Sequence, residues 1–317
     1  MLRAGAGALN HDVSEMHRRG LLLAVCAGIA GCASASVNYL DPAGPRYLGG
    51  VVSDSVERPL LKVVSFNVHY AMQMDSVVSL LRRHESLRDA DVLLMQEMDE
   101  PSTRKVADAL GMYYVFYPAT VHPATRRDFG NSILSRYRLT DDRKVVLPHL
   151  ARFRNTARIA VGATIRVGAQ PVRLYSVHIA TVANNGPGAR RKQVEAVLAD
   201  ADSASTVIIG GDFNSSSIPE VALSRGYQWP TRTIGRTMAL WSLNHFLIKG
   251  ALAVPANGSG TVKDTDGASD HRPVWINITL GVQQPGIGDR AFSLPGQRDG
   301  RTLQDWRDTR PPDARTN

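Results

Sequence analysis

The sequence predicts an α/β (α+β) domain in which two β-sheets pack face to face with helices outside, and three observations predict it. Short apolar, β-branched runs alternate with segments of helical spacing from Leu61 to Leu280. Polar residues recur at the ends of those runs, which is where α/β proteins usually meet their ligands. No repeat of fixed period divides the chain, so a single domain of about 220 residues accounts for the pattern.

Taken in order, Leu61–Val68 is an apolar run that reads as a buried strand. Met74–His84 has helical spacing through Val77, Val78, Leu80 and Leu81. Asp91–Met95 is a second strand and Thr103–Leu110 a short helix. Asn131–Leu134, Ile159–Val167 and Val172–Val177 follow as strands, the last two joined by a turn at Gly168 and Gln170. Arg190–Asp200 aligns Val194, Val197 and Leu198 and reads as a helix with a charged outer face. Thr206–Ile209, His245–Ile248 and Val274–Leu280 complete the strands.

The two ends differ from the domain and from each other. Arg18 and Arg19 precede an apolar run, Leu21 to Gly31, which is too short to span a bilayer. A basic start, a short apolar core and small residues before a cut site describe an export signal over 1–31. Ile29-Ala30-Gly31-Cys32 resembles a bacterial lipobox, in which Cys32 becomes the lipidated first residue. Either Met1 or Met16 serves as a start. The chain has two cysteines, Cys26 and Cys32, so after processing no thiol would remain in the domain. Residues 32–60, with Pro42, Pro45 and several glycines, read as a tether. Residues 281–317, rich in Pro, Gly, Arg and Asp, read as a disordered tail. The expected location is the bacterial cell envelope, and the outer membrane if the source is Gram-negative; a lipid anchor holds the protein there. A monomer is expected.

The formal charge is +8; removing the leader, with three arginines against Asp12 and Glu15, leaves +7. The tail has six arginines against five aspartates, so the domain with its tether stays near +6. Positive charge suits an anionic substrate or an anionic membrane, and does not choose between them.

Five segments carry the chemistry. Asn67 closes Val63-Val64-Ser65-Phe66, and Glu97 emerges from Asp91-Val92-Leu93-Leu94-Met95-Gln96. A carboxylate is a hard oxygen donor suited to Mg²⁺. His178 ends Val172–Val177. Asp212 and Asn214 follow Ile208-Ile209-Gly210-Gly211, whose glycines would let backbone approach a substrate. Asp270-His271 joins an acid to a base just before the last strand. Each alone is also compatible with a turn or surface residue; the Gly-Asp-x-Asn segment is the most specific.

In their order, these segments resemble the endonuclease/exonuclease/phosphatase superfamily, which includes DNase I-like nucleases, sphingomyelinases and inositol polyphosphate phosphatases. The matching stretches are VVSFNVHY (63–70), DVLLMQEMD (91–99), GNSILSRY (130–137), RLYSVHIA (173–180), RRKQV (190–194), IIGGDFNS (208–215) and SDHRPVW (269–275). The resemblance implies a DNase I-like two-sheet sandwich over 61–280 with the active site at one end of the sheets. It implies that Glu97 holds Mg²⁺ (or Mn²⁺), with Asn67 and Asp270 as ligands or organisers of its water. His271 would be the general base toward water. His178 would donate to a phosphate oxygen, while Asp212 and Asn214 orient the nucleophile or leaving oxygen.

One position departs from the family pattern. Trp241-Ser242-Leu243-Asn244-His245 puts Asn244 where family members carry the aspartate that hydrogen-bonds the catalytic histidine. An amide can orient the ring but cannot stabilise an imidazolium by charge. His245 beside it reads as packing or surface. The function expected is therefore a divalent-metal-dependent phosphodiesterase. Its substrate is a phospholipid or sphingolipid, a nucleic acid or a phosphorylated metabolite. A non-catalytic binding or scaffold protein that kept the fold is the alternative.

Overall fold

A computed structural model describes residues 37–52 and 60–281. The expected leader 1–31, Cys32, part of the expected tether and residues 282–317 of the expected tail lie outside the described residues. In chain order the elements are β1 (Tyr47–Gly50), β2 (Leu61–Asn67), α1 (Met74–Arg83), β3 (Val92–Met98) and α2 (Glu100–Leu110). Then come β4 (Tyr113–Val121), β5 (Asp128–Ser135), β6 (Thr140–Val146), β7 (Ile159–Val167), β8 (Gln170–His178) and α3 (Pro187–Ala201). β9 (Val207–Asp212), a 3-10 helix (Ile218–Arg225), β10 (Asn244–Lys249), β11 (Leu252–Ala253), β12 (Ser259–Thr261) and β13 (Val274–Leu280) complete it.

The first sheet runs β1-β4-β5-β3-β2-β13-β11, with β12 also on β13, and the second runs β10-β9-β8-β7-β6. Each contains one parallel pair among antiparallel ones, β2 with β3 and β8 with β9. The expected two-sheet sandwich with helices outside is what forms. The inner faces meet through Val63, Leu94, Ile133, Val161, Leu174, Phe246 and Ile276, all fully buried. The outer face of the first sheet is covered by α1 and α2 through Phe66, Val77, Leu81, Val106 and Phe116. The outer face of the second is covered by α3 and the 3-10 helix, where Val194, Val197 and Leu198 pack on Tyr175, Ile209 and Leu247. Central strands are therefore buried on both faces, which is why β2, β3 and β9 read as continuous apolar runs. Each such Val, Leu or Ile contributes about 1.5–3 kcal/mol by leaving water.

Polar ties also cross the sandwich. Asn131 Nδ2 on β5 donates to the carbonyls of Ile159 (3.0 Å) and Ser176 (3.1 Å) on the other sheet. Gln96 Nε2 donates to Ser176 Oγ at 3.0 Å, and that hydroxyl donates to the Met95 carbonyl at 3.0 Å. Buried hydrogen bonds of this kind fix how one sheet sits on the other.

The structure corrects the sequence reading in several places. The expected tether 32–60 is in part folded: β1 pairs antiparallel with β4 from Tyr47↔Phe116 to Gly50↔Tyr113. Lys144 Nζ donates to the carbonyls of Tyr39 (2.9 Å) and Gly44 (2.6 Å), and Arg46 grips Asp142 with two bonds (2.7 and 2.6 Å). The domain thus begins by Val37, not at Leu61. Proline and glycine there shape a segment that satisfies its backbone on a sheet edge instead of in solvent. The second helix begins at Glu100 rather than Thr103, because Asp99 caps it by accepting from Ser102 N at 2.9 Å. Gly111, at φ 62°, ends it in the left-handed conformation. Strands β4 and β6 were not expected.

Candidate active site

Strand ends bring the site together. His178, Asp212 and Asn244 are neighbours in register across β8, β9 and β10. On the facing sheet Asn67 ends β2 beside Gln96 of β3. A register shift between Gln96 and Met98 turns Glu97 out of the ladder, and Glu97 takes φ 61°. A bulge of this kind re-aims one side chain, and a left-handed non-glycine residue persists only where its surroundings hold it. Asn214 (φ 47°) and the run His69, Tyr70, Ala71 (φ 46°, 57° and 52°) repeat the pattern at the same edge. All eight residues expected at the site within the described chain converge here.

Asp212 is the hub. Its Oδ2 accepts from Asn67 Nδ2 at 3.0 Å and lies 3.7 Å from His178 Nε2 and 3.8 Å from His271 Nε2. Its Oδ1 accepts from Asn214 N at 2.8 Å. Asn67 bridges the two acids, since Nδ2 also donates to Glu97 Oε1 at 3.1 Å, while its own Oδ1 accepts from His69 N at 3.1 Å. Glu97 Oε2 accepts from Tyr70 N at 2.9 Å. Burial pushes the Glu97 carboxyl pKa up, against the bond from Asn67 and the charge of Arg158, which pull it down. Asp270 stands at the rim, 41% exposed, 3.8 Å from His69 Nδ1. Ser269 Oγ fixes its loop by donating to the Asn67 carbonyl at 2.8 Å and accepting from His271 N at 3.1 Å.

The two histidines have different partners. His271 Nδ1 lies 2.8 Å from Asn244 Oδ1. With the amide oxygen facing it, Nδ1 carries the proton and Nε2 presents a lone pair toward Asp212. Asn244 Nδ2 is buried with no hydrogen-bond partner, and its backbone N–H is held by Thr237 Oγ1 at 3.0 Å. His178 Nδ1 faces Arg158 Nη1 at 3.3 Å. Arginine can only donate, so Nδ1 accepts and Nε2 carries the proton. Burial above all, then the charge of Arg158, holds the His178 pKa well below its ordinary value.

Arg158 was missed by the sequence reading. It sits just before β7, stacks 5.2 Å from the Phe129 ring centroid, and its pKa is lowered by burial against the opposing charges of Glu97 and Asp212. Its only local signal is one arginine among three in Arg152-Phe153-Arg154-Asn155-Thr156-Ala157-Arg158. Also missed was an aromatic wall in which Tyr70 meets His122 (4.5 Å) and Phe129 (5.9 Å), and Phe129 meets His178 (5.7 Å). This wall borders a cleft of about 440 Å³ lined by Tyr70, Phe129, Phe153, Arg158, Thr181 and Asn184. Arg190, near the start of α3, is buried: it donates to the carbonyls of Ala180 (3.0 Å) and Asn214, bracing the Asp212 turn.

The glycines of IIGGDFNS serve packing, not substrate approach. A Cβ on Gly211 would lie 2.0 Å from the Val177 carbonyl oxygen, and one on Gly210 would meet Phe246 and Leu94. Likewise His245 is a buried core residue, edge-on to Trp229 at 4.9 Å.

The sequence model of the Endonuclease/Exonuclease/phosphatase family matches residues 64–271. Solved structures share the fold. An endonuclease/exonuclease/phosphatase from Beutenbergia cavernae aligns with TM-score 0.58 at 18% identity, covering 71% of this chain and 72% of that one. The human Nocturnin catalytic domain with bound sulfate anion gives TM-score 0.55 at 17% identity over 74% and 98%. D. rerio TDP2 complexed with single strand DNA product gives TM-score 0.55 at 15% identity over 70% and 99%. No curated protein matches the chain in sequence.

Proposed function

Because the chain belongs to the Endonuclease/Exonuclease/phosphatase family and so is a hydrolase of phosphoric esters, we propose that it cleaves phosphodiesters with Mg²⁺ or Mn²⁺ and works from the cell envelope. The observation that carries the chemistry is the hub at Asp212 Oδ2, with a lone-pair nitrogen at 3.8 Å on one side and a donor nitrogen at 3.7 Å on the other.

The donor set fits such a cation. Among the described residues no group of three or more His, Cys, Asp or Glu forms a cage, but Mg²⁺ typically takes one or two carboxylates and keeps its waters. Glu97 is a buried acid that a nearby cation would keep ionised, and Asp270 is a second carboxylate, at the exposed rim of the site. Asn67, whose amide nitrogen spans Glu97 and Asp212, holds the acids in place. Bound there, the ion would polarise a phosphoryl oxygen and offset charge in the transition state.

The chain's own residues do the rest. His271 Nε2 takes a proton from the attacking water, with Asn244 Oδ1 holding the ring by its Nδ1–H. Asp212 orients that water, and Asn214, pinned by its backbone N–H on Asp212 and by Nδ2 on the Ile179 carbonyl at 3.1 Å, shapes the turn around it. His178 donates Nε2–H to a phosphate oxygen, and the charge of Arg158 behind it adds to the electrostatic stabilisation. The 2.8 Å contact between His271 and Asn244 keeps the ring oriented, which speaks against the scaffold alternative.

Envelope attachment rests on Ile29-Ala30-Gly31-Cys32 following a basic, apolar leader; loss of labelling by radioactive palmitate in Cys32→Ser checks it. Hydrolysis of bis-p-nitrophenyl phosphate tests the chemistry. It should need Mg²⁺ or Mn²⁺, stop in EDTA and be lost in Glu97→Ala. Turnover in EDTA equal to that with metal would falsify the metal-dependent reading.

A further inference from the structure

Three segments that touch one another leave large apolar side chains in water beside the cleft. The loop between β6 and β7 exposes Leu150 (40%) and Phe153 (70%), the loop after β8 exposes Val182 (74%), and the first described residues expose Val37 (54%) and Leu40 (50%). Arg152 N donates to the Asn184 carbonyl at 3.2 Å, joining the first two. Asn38 joins the third to the first, donating from Nδ2 to the Asn155 carbonyl and accepting on Oδ1 from Ala157 N, both at 2.7 Å. These five are among twelve large apolar side chains exposed in the described residues, so nearly half gather on one rim. An apolar patch rimmed by polar groups marks a binding surface.

The exposed charge on this rim is mostly positive. Segments 37–40, 120–127, 148–158 and 179–192 contain no Asp or Glu, and Arg126, Arg152, Arg154, Arg191 and Lys192 are exposed; Asp41 and Asp128 flank these segments, and Arg127 is paired with Asp99 at 2.6 Å. Aliphatic tips among cations match a surface that is negatively charged outside and hydrocarbon beneath. A single strand of nucleic acid would instead need aromatic faces for its bases, and Phe153 is the one exposed aromatic residue of the five. The chain also leads here. Val37 stands five positions after Cys32, a span of at most about 18 Å even when extended.

We propose that this rim seats the domain on an anionic lipid bilayer and turns the cleft of Tyr70, Phe129 and Arg158 toward the head-group layer. The proposal rests on the envelope reading for its location but not for its chemistry. Leu150, Phe153 and Val182 enter the interface, the arginines meet lipid phosphates, and the short lead from Cys32 holds the domain in that orientation.

Cys26 and Cys32 are the chain's two cysteines and neither lies in the domain, so an introduced cysteine can carry an environment-sensitive nitrobenzoxadiazole label in the full chain, with the parent chain labelled in parallel to subtract any signal from those two. Phe153→Cys and Val182→Cys report the rim. Ala253→Cys, exposed and paired with Thr279 at the end of β13 remote from His271, reports the far end. With vesicles rich in phosphatidylglycerol, emission from 153 and 182 should shift to the blue and brighten about twofold or more. Emission from 253 should not change, and pure phosphatidylcholine should give a much weaker response. Mass spectrometry of the same preparation shows whether Cys32 is acylated. An acylated, vesicle-bound chain whose labels at 153 and 182 stay as wet as that at 253 overturns the rim and leaves the anchor standing. An unacylated chain whose rim labels still shift overturns the anchor and upholds the rim. A shift with single-stranded DNA and none with vesicles overturns the rim in favour of nucleic acid.

Discussion

Two histidines stand on either side of one oxygen of Asp212, at 3.7 and 3.8 Å, and they are held in opposite ways. His178 receives a hydrogen bond on Nδ1 from a cation, Arg158, and burial keeps it neutral with its proton on Nε2. His271 donates its Nδ1–H to the neutral amide oxygen of Asn244 and keeps a lone pair on Nε2. Same ring, same distance, opposite tautomer: the partner on the far nitrogen decides which ring donates and which accepts. An acid and a base on one phosphoryl group need that asymmetry.

Removing the base should break the comparison most. His271→Ala is expected to lower kcat on bis-p-nitrophenyl phosphate by about 10²–10⁴-fold, the range for a general base. His178→Ala should cost about 10²–10³-fold, as for loss of one transition-state donor. Steady-state rates at saturating Mg²⁺ give the ranking, and equal activity of His271→Ala and the parent would end the assignment. Next comes the cation. Arg158→Met should cost about 10²-fold, and much less once His178 is already alanine, because the two act as a unit. Full additivity in the double variant would show that Arg158 acts elsewhere.

Asn244→Asp sharpens the other side of the comparison. A carboxylate would remove the buried, partnerless Nδ2 and stabilise the imidazolium formed in the transition state. We expect kcat at pH 8 to rise about tenfold. A decrease in kcat at pH 8 would show that this site is built around the amide.

The legible and illegible parts of the molecule differ for a physical reason. Strands β2, β3 and β9 are buried on both faces, so Leu61–Asn67, Val92–Met95 and Val207–Ile209 announce themselves as apolar runs with site residues at their ends. β6, Thr-Asp-Asp-Arg-Lys-Val-Val, is a half-exposed edge with little apolar signal. β1 is a four-residue edge strand in a proline- and glycine-rich segment. β4, Tyr113-Tyr-Val-Phe-Tyr117, is buried along most of its length and does carry the aromatic signal of a strand. At the site, motif residues were readable because a local pattern surrounds them. Arg158, the tautomer of His178 and the burial of Arg190 depend on contacts between segments far apart in sequence, which no local pattern contains.

The smallest expected effect follows from the buried, neutral state of His178 itself. Its folded pKa is depressed, so below about pH 6.5 the unfolded chain binds a proton there that the native chain refuses. Stability contributed by the neutral ring is complete above that pH and is lost as pH falls toward the folded pKa. The loss amounts to at most about 1.4 kcal/mol per pH unit. Glu97, raised by burial, acts with the opposite sign, because its native form takes up protons more readily than the unfolded chain does. The comparison must therefore be made between variants that share Glu97. In EDTA, urea unfolding of His178→Gln should show a shallower decline in stability from pH 7 to 5 than the parent. His271→Gln is the matched control for losing a histidine from the same cluster. Parallel declines for His178→Gln and the parent would mean that the ring takes up a proton in the fold.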